Sequence, residues 1–256
     1  MSIEYTHSDG VARIVMTDGD RGNSIDGQVA ADLFAAVRRA NADGARVIVL
    51  SATGRFFCVG GDLAAFAGAP SMPDFIDDLA DGLHRIVSEL QRSPAVVVSV
   101  VQGAAAGAGF PLAAAADVIV AAESAKFSLG YTRVGLSIDG GSSLLVHSLG
   151  QHTMLRLALL NDTLTAAELR DAGLIARVAP DDQLATVAQQ VVDTLAALPA
   201  QAQATAKRLV RDTADLAPER ALRNETLGIR ANAGTADGRE GVTSFLEKRS
   251  PRFTHR

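Results

Sequence analysis

The sequence predicts an α/β core followed by a helical region. Three observations carry this. Val47–Ser51 and Ala95–Val101 are short continuous apolar runs, without the alternation of half-exposed strands, and suit strands buried on both faces. They alternate with stretches at helical spacing, as in a layered α/β core. After Gly150 nearly every segment reads as helix.

Taken in order, Ile3–His7 and Val11–Thr17 flank Ser8-Asp9-Gly10 and predict a hairpin. Gln28–Ala40 carries Val29, Leu33, Phe34 and Val37 on one helical face, and Val47–Ser51 is the next strand. Asp74–Leu90 returns to helical spacing through Phe75, Leu79, Leu83, Ile86, Val87 and Leu90. Ala95–Val101 reads as strand, Gly107–Ala116 as helix and Val118–Ala121 as strand. In the second half, Gln151–Leu160, Ala166–Ala172, Asp182–Leu198, Ala200–Thr213 and Pro218–Ala233 read as helices, and Leu174–Val178 as a strand. The boundaries expected are a core over residues 1–178 and a helical region over 179–256, packed on that core or on a neighbouring subunit.

Composition narrows the function. Charge is 24 basic against 29 acidic, a net of -5, and no basic cluster suits nucleic acid. One cysteine, Cys58, allows no internal disulfide and is expected as a small buried packing residue. The uncharged window Ser93–Ala116 is long enough to span a bilayer, but Pro94, Gly103, Gly107, Gly109 and Pro111 interrupt it. A strand, a glycine-rich loop and a helix fit it better. MSIEYTHSDG has no basic stretch followed by an apolar one, so a cytoplasmic protein is expected.

Two segments can carry chemistry. Gly54–Leu63, GRFFCVGGDL, follows a strand and sets two glycines before Asp62. Paired glycines let backbone N–H groups face a cavity and stabilise an oxyanion. A plain strand-to-helix turn capped by Asp62 fits equally. Val101–Leu112, VQGAAAGAGFPL, also follows a strand and enters a helix near Gly107, whose N-terminus suits an anionic oxygen. It fails the dinucleotide fingerprint, because Leu112 takes the third glycine position.

These two segments, followed by GLSIDGGSSLL at Gly135–Leu145, resemble the crotonase superfamily, the enoyl-CoA hydratase/isomerase group. RGNSIDGQVAADL near the start and SFLEKRSPRF at Ser244–Phe253 are similar to its first-helix start and C-terminal signature. The resemblance implies stacked ββα turns with a helical C-terminal trimerisation region, and a homotrimer or dimer of trimers. It implies an acyl-CoA thioester substrate, coenzyme A being part of that substrate, and no separate cofactor. Its oxyanion amides fall on Gly61 and Ala108. Ser24, Ile25, Gly60, Asp62, Leu63 and Ala64 match positions along the coenzyme A path, and Ala64–Asp74 is expected as a mobile part of the acyl pocket. Lys248 and Arg249 are either contacts for coenzyme A phosphates or a solvated helix end.

The resemblance also marks departures. The two glutamates with which hydratases activate water fall on Pro111 and Tyr131, and neither is a carboxylate. Asp139 matches an aspartate used by enoyl-CoA isomerases as a proton shuttle and by 4-chlorobenzoyl-CoA dehalogenases as a nucleophile; isomerisation is the more general chemistry. Asp139 could also cap a helix or shape its turn. Tyr131 is expected to pack against the acyl chain or to bond the substrate. His84 and His147 are expected on the surface or as satisfied core residues, and no His/carboxylate spacing suggests zinc.

Overall fold

The computed structural model describes residues 2–212 and 218–252. Thr213, at the end of one expected helix, and Phe253, at the end of the C-terminal motif, lie outside these residues.

β1 (Ile3–Ser8) and β2 (Val11–Met16) form the expected hairpin, with Asp9 and Gly10 both at positive φ in a two-residue turn. α1 (Gly27–Ala42) follows, its first turn capped by Asp26, which accepts from Val29 N–H. The chain then runs through β3 (Val47–Ala52), β4 (Phe56–Cys58), α2 (Leu63–Gly68), α3 (Met72–Arg92), β5 (Val96–Val101), β6 (Ala104–Ala106) and α4 (Gly109–Ala114). β7 (Val118–Ala122) and β8 (Lys126–Ser128) come next, then α5 (Val146–Leu155), β9 (Leu164–Thr165), α6 (Ala166–Asp171) and β10 (Arg177–Ala179). α7 (Leu184–Ala197), α8 (Ala200–Asp212), α9 (Pro218–Ala233) and α10 (Ala236–Leu246) complete the described chain.

Two sheets result. The larger has the order β1-β2-β3-β5-β7-β10, parallel beyond the first hairpin; the smaller has the order β4-β6-β8-β9. Each pair β3–β4, β5–β6 and β7–β8 steps from the larger sheet to the smaller, which produces the stacked turns. The smaller sheet is absent from the sequence reading because its strands are two or three residues long. Ala104-Ala105-Ala106 favours helix locally and becomes strand only by pairing with Phe56–Cys58 and Phe127–Ser128. The core between the sheets holds Phe57, Phe110 and Phe127, all fully buried, with the last two rings 5.2 Å apart.

The window Ser93–Ala116 is divided among β5, β6 and α4, and no helix among the described residues is long and apolar enough to cross a membrane. Cys58 is fully buried, and burial pushes its thiol up to about 12. The C-terminal helices pack on their own chain. α7 lies on β3, β5 and β7, α9 lies along α3, and α10 meets α2. α8 is anchored by Lys207 and Arg211, which pair with Asp117 at 2.8 and 2.7 Å. α10 falls in the helical region expected over residues 179–256, without having been delimited there; Thr235 caps it by accepting from Gly238 N–H.

Candidate active site

β4, β6 and β8 are adjacent and parallel, so the loops leaving their C-terminal ends meet side by side. Ligands of parallel sheets gather at this edge. A cavity of about 840 Å³ opens there. Gly61 and Ala108 line it from the first two loops, Tyr131 from the third, and Asp139 from the turn beyond.

The first loop is held by a one-residue parallel bridge between Ile25 and Gly61. Ile25 N–H donates to Gly60 O (2.8 Å) and Asp62 N–H to Ile25 O (3.0 Å). The residues flanking Gly61 make these bonds, which turns Gly61's own N–H away from Ile25. Gly60 sits at φ +94°, and a Cβ there would lie 3.0 Å from Ala106 O and 3.1 Å from Ala108 N, so the two loops touch. Ala108 caps α4 at φ -63°, with its own N–H outside the helix ladder. Among the described residues neither the Gly61 nor the Ala108 N–H has an acceptor. Unpaired amides beside a cavity call for a partner. Asp62 meanwhile caps α2, accepting from Ala64 and Ala65 N–H at 2.9 and 3.2 Å, and takes Arg21 at 2.5 Å. The capped turn and the free amide therefore coexist.

Asp139 is 4% exposed. Its Oδ1 lies 2.9 Å from Nε2 of His84 on α3. An ionised carboxylate can only accept, so with Asp139 ionised Nε2 carries the proton. The other ring nitrogen, Nδ1, lies 3.2 Å from the Thr226 hydroxyl, itself 3.3 Å from Leu222 O. Thr226 can donate to a neutral imidazole, or accept from an imidazolium while turning its proton to Leu222. The network therefore accommodates His84 in either charge state.

The main chain of Asp139 is clamped as well. Tyr131 Oη and Ser142 Oγ donate to its carbonyl at 3.1 and 2.6 Å. Gly140 and Gly141 follow at φ +68° and +92°, a conformation only glycine adopts freely, and a Cβ at Gly140 would lie 3.1 Å from the Ala108 Cβ. The acid turn thus rests directly on the second amide loop. Glu225 of α9 accepts from Gly141 and Ser143 N–H at 2.7 and 2.6 Å. Burial, with the Asp139 charge adding to it, raises the Glu225 carboxyl above its ordinary value, against the pull of its hydrogen bonds. His84, Asp139 and Glu225 bring one ligand atom each within 4.8 Å of one another. Their contacts are spent on one another's neighbourhood: Glu225 on two amides, Asp139 Oδ1 on His84.

The expected site residues divide. Gly61, Ala108, Asp139, Ser24, Asp62, Leu63, Ala64 and Tyr131 all line the cavity. Ile25 and Gly60 do not: they are buried behind it and hold Gly61 in place. Tyr131 presents its ring to the cavity, but its hydroxyl is committed to the Asp139 turn rather than aimed at a ligand; burial first, and the charges of Asp139 and Glu225, push it well above its ordinary value, so it stays a donor. Asp139 does not cap a helix, since its carboxylate goes to His84. Lys248 is exposed and does not line the cavity. Arg249 lines the mouth, with its guanidinium held by Glu240 (2.6 and 2.8 Å) and Glu247 (2.6 Å). Ala64–Asp74 meets the cavity through Ala64 and Phe66 and is largely helical, split between α2 and the start of α3.

His84 is a satisfied core residue, as expected, but its bond to Asp139 had no sequence signal. Glu225 and Thr226 were missed outright. Apolar lining comes from Ile76, Leu79 and Leu83 of α3, Ile229 of α9, Val134 and Leu136.

The model of the enoyl-CoA hydratase/isomerase family matches residues 6–256. The chain is 34% identical over 251 residues to the 1,2-epoxyphenylacetyl-CoA isomerase of Escherichia coli K12, covering 96% of this chain and 95% of the relative. It is 36% identical over 262 residues to a probable enoyl-CoA hydratase of Rhodobacter capsulatus, covering 100% and 98%. A crystal structure of an enoyl-CoA hydratase from Mycobacterium avium subsp. paratuberculosis superposes with a TM-score of 0.91 at 32% identity, over 99% of each chain. With the stacked turns and the paired amide loops in place over that whole length, the chain belongs to the enoyl-CoA hydratase/isomerase family.

Proposed function

We propose that this protein isomerises enoyl-CoA thioesters by moving a 3-enoyl double bond to C2. The observation that carries the reading is Asp139: a buried carboxylate on the wall of the cavity that Gly61 and Ala108 line. By the family resemblance the hydratase glutamates fall on Pro111 and Tyr131, neither of them a carboxylate. The Gly61 and Ala108 amides receive the thioester oxygen. Asp139 takes a proton from C2, the negative charge moves onto that oxygen, and the same acid returns the proton to C4. Proton and charge balance within the substrate, so the step draws on no redox cofactor, and coenzyme A enters as part of the substrate. In comparable sites one oxyanion donor is worth about 3–4 kcal/mol. His84 holds the Asp139 carboxylate through Oδ1. The apolar lining from α3 and α9 suits an uncharged acyl group. The family resemblance supports a trimer, or a dimer of trimers, as the assembly.

The isomerase name of the E. coli relative supports this reading; relatives named hydratases align as fully, so the test must separate the two. Purified protein is given 3-hexenoyl-CoA and, separately, crotonyl-CoA. The expected outcome is conjugation of the first, lowered by about 100-fold or more in Asp139→Asn, with little hydration of the second. Robust hydration that survives Asp139→Asn would overturn the assignment. Tight acyl-CoA binding without turnover of any enoyl thioester would instead mark a non-catalytic binder.

A further inference from the structure

We propose that Glu225 is a positioning residue for Asp139, so that docking of α9 completes the acid/base site. The inference rests on the reading of Asp139 as the acid/base group. Asp139 is followed by two glycines at positive φ, the least restrained backbone a turn can have, so the direction of its carboxylate depends on what ties that turn down. From the core side, Tyr131 and Ser142 hold its carbonyl. From the α9 side, Glu225 straddles the turn, one carboxylate oxygen on each of two amides, 84 and 82 residues away in sequence.

The neighbouring residue strengthens the case. Thr226 is fully buried and reaches His84, which in turn reaches Asp139. Two consecutive residues of one helix thus address both ends of the acid: Glu225 its main chain, Thr226 the imidazole that holds its side chain. A carboxylate buried without a cation costs free energy, and an uncharged acceptor could tie a turn without that cost. Glu225 is 6% exposed, and among the described residues no Lys or Arg pairs with it. Its two short amide bonds are what offset the burial, and they fall on the turn that carries Asp139.

The test uses the full chain. Glu225→Gln keeps the shape but sets an NH2 group against one of the two amides. The measurements are isomerisation kcat and KM for 3-hexenoyl-CoA, butanoyl-CoA affinity by calorimetry, and the thermal midpoint. Misplacing a reacting group by about 1 Å can cost about 100-fold. The expected result is a kcat lower by about 10- to 100-fold, with KM and butanoyl-CoA affinity within about twofold of wild type. Should that variant fail to fold, Thr226→Val reads the same claim through His84, with a smaller fall in kcat and unchanged affinity. Wild-type kcat in the folded variants, or kcat falling only as far as binding falls, overturns the proposal. Asp139→Asn separates the two levels. If it keeps full turnover, the acid/base reading itself fails. If it is inactive while the Glu225 and Thr226 variants are normal, only the positioning role fails.

Discussion

The cavity presents two main-chain amides, Gly61 and Ala108, from one pair of loops, and a buried carboxylate, Asp139, from the adjoining wall. The amides are placed by strand register alone: β4 and β6 pair, their loops touch at Gly60, and a bridge to Ile25 turns Gly61. No side chain takes part in offering these N–H groups. Asp139 stands on two glycines and is held by Ser142 of its own turn and by Tyr131, His84 and Glu225 from other parts of the chain. A floor built from the sheet survives exchange of its side chains; a wall built from side chains changes its chemistry with a few substitutions. Relatives named as an isomerase and as a hydratase match this chain over nearly its whole length, and a fold by itself does not fix the reaction.

The largest effect expected is on the wall. Asp139→Asn keeps the shape but removes proton uptake, and general acid–base catalysis is worth about 10²- to 10⁴-fold. Turnover of 3-hexenoyl-CoA is predicted to fall by that range while acyl-CoA binding holds; a loss under threefold would break the contrast. The floor offers a matching test. Ala108 already has φ -63°, compatible with proline, so Ala108→Pro deletes its N–H with little strain at its own φ. Loss of one oxyanion donor predicts about a 10²- to 10³-fold drop in kcat. Substituting Ala108 by Ser, which keeps the N–H, should cost far less, and equal losses from the two would show that the side chain matters.

The two regions also differ in how far the sequence announces them. The amide loops were legible because main-chain chemistry needs glycines in a local pattern, GRFFCVGGDL and VQGAAAGAGFPL, each behind a strand. The strands of the larger sheet were legible for a similar reason: β3, β5 and β7 are apolar runs buried on both faces. The smaller sheet was not, because three residues such as Ala104–Ala106 carry no periodicity and take their conformation from their neighbours. On the wall, Asp139 and Tyr131 were found, both by resemblance, though Tyr131 was expected to meet the acyl chain or the substrate and not the Asp139 turn. His84 sits in α3 beside Leu83 and Val87; the sequence leaves it between the surface and a satisfied core position, with no sign of a partner 55 residues away. Glu225 lies in a stretch read only as a helix, Pro218–Ala233, where nothing local marks it for burial; α9 is buried there by packing on α3.

A smaller effect is expected at His84. A hydrogen bond to a charged group is worth about 1.5–3 kcal/mol. His84→Leu therefore predicts a kcat lower by about 10- to 150-fold, whereas His84→Gln, which keeps an N–H within reach of Asp139, should recover most of it. If Gln and Leu behave alike, His84 contributes more than orientation.

The smallest effect belongs to the mouth, where charges are exposed and the contrast with the buried wall is sharpest. Glu240 accepts from Arg249 and from Arg252 N–H, and the Arg249 bonds above all hold its carboxyl down from 4.5 to about 2. A carboxylate whose pKa is lower folded than unfolded adds stability above its unfolded value. That share fades as pH falls from about 4.5 through about 2. Glu240→Gln should thus lower the thermal midpoint slightly at pH 6, with the gap to wild type closing as the pH approaches 2. Exposed pairs are screened, so the gap should also shrink with added salt. A gap that stays constant from pH 6 to pH 2 would mean that Glu240 acts through packing rather than through its charge.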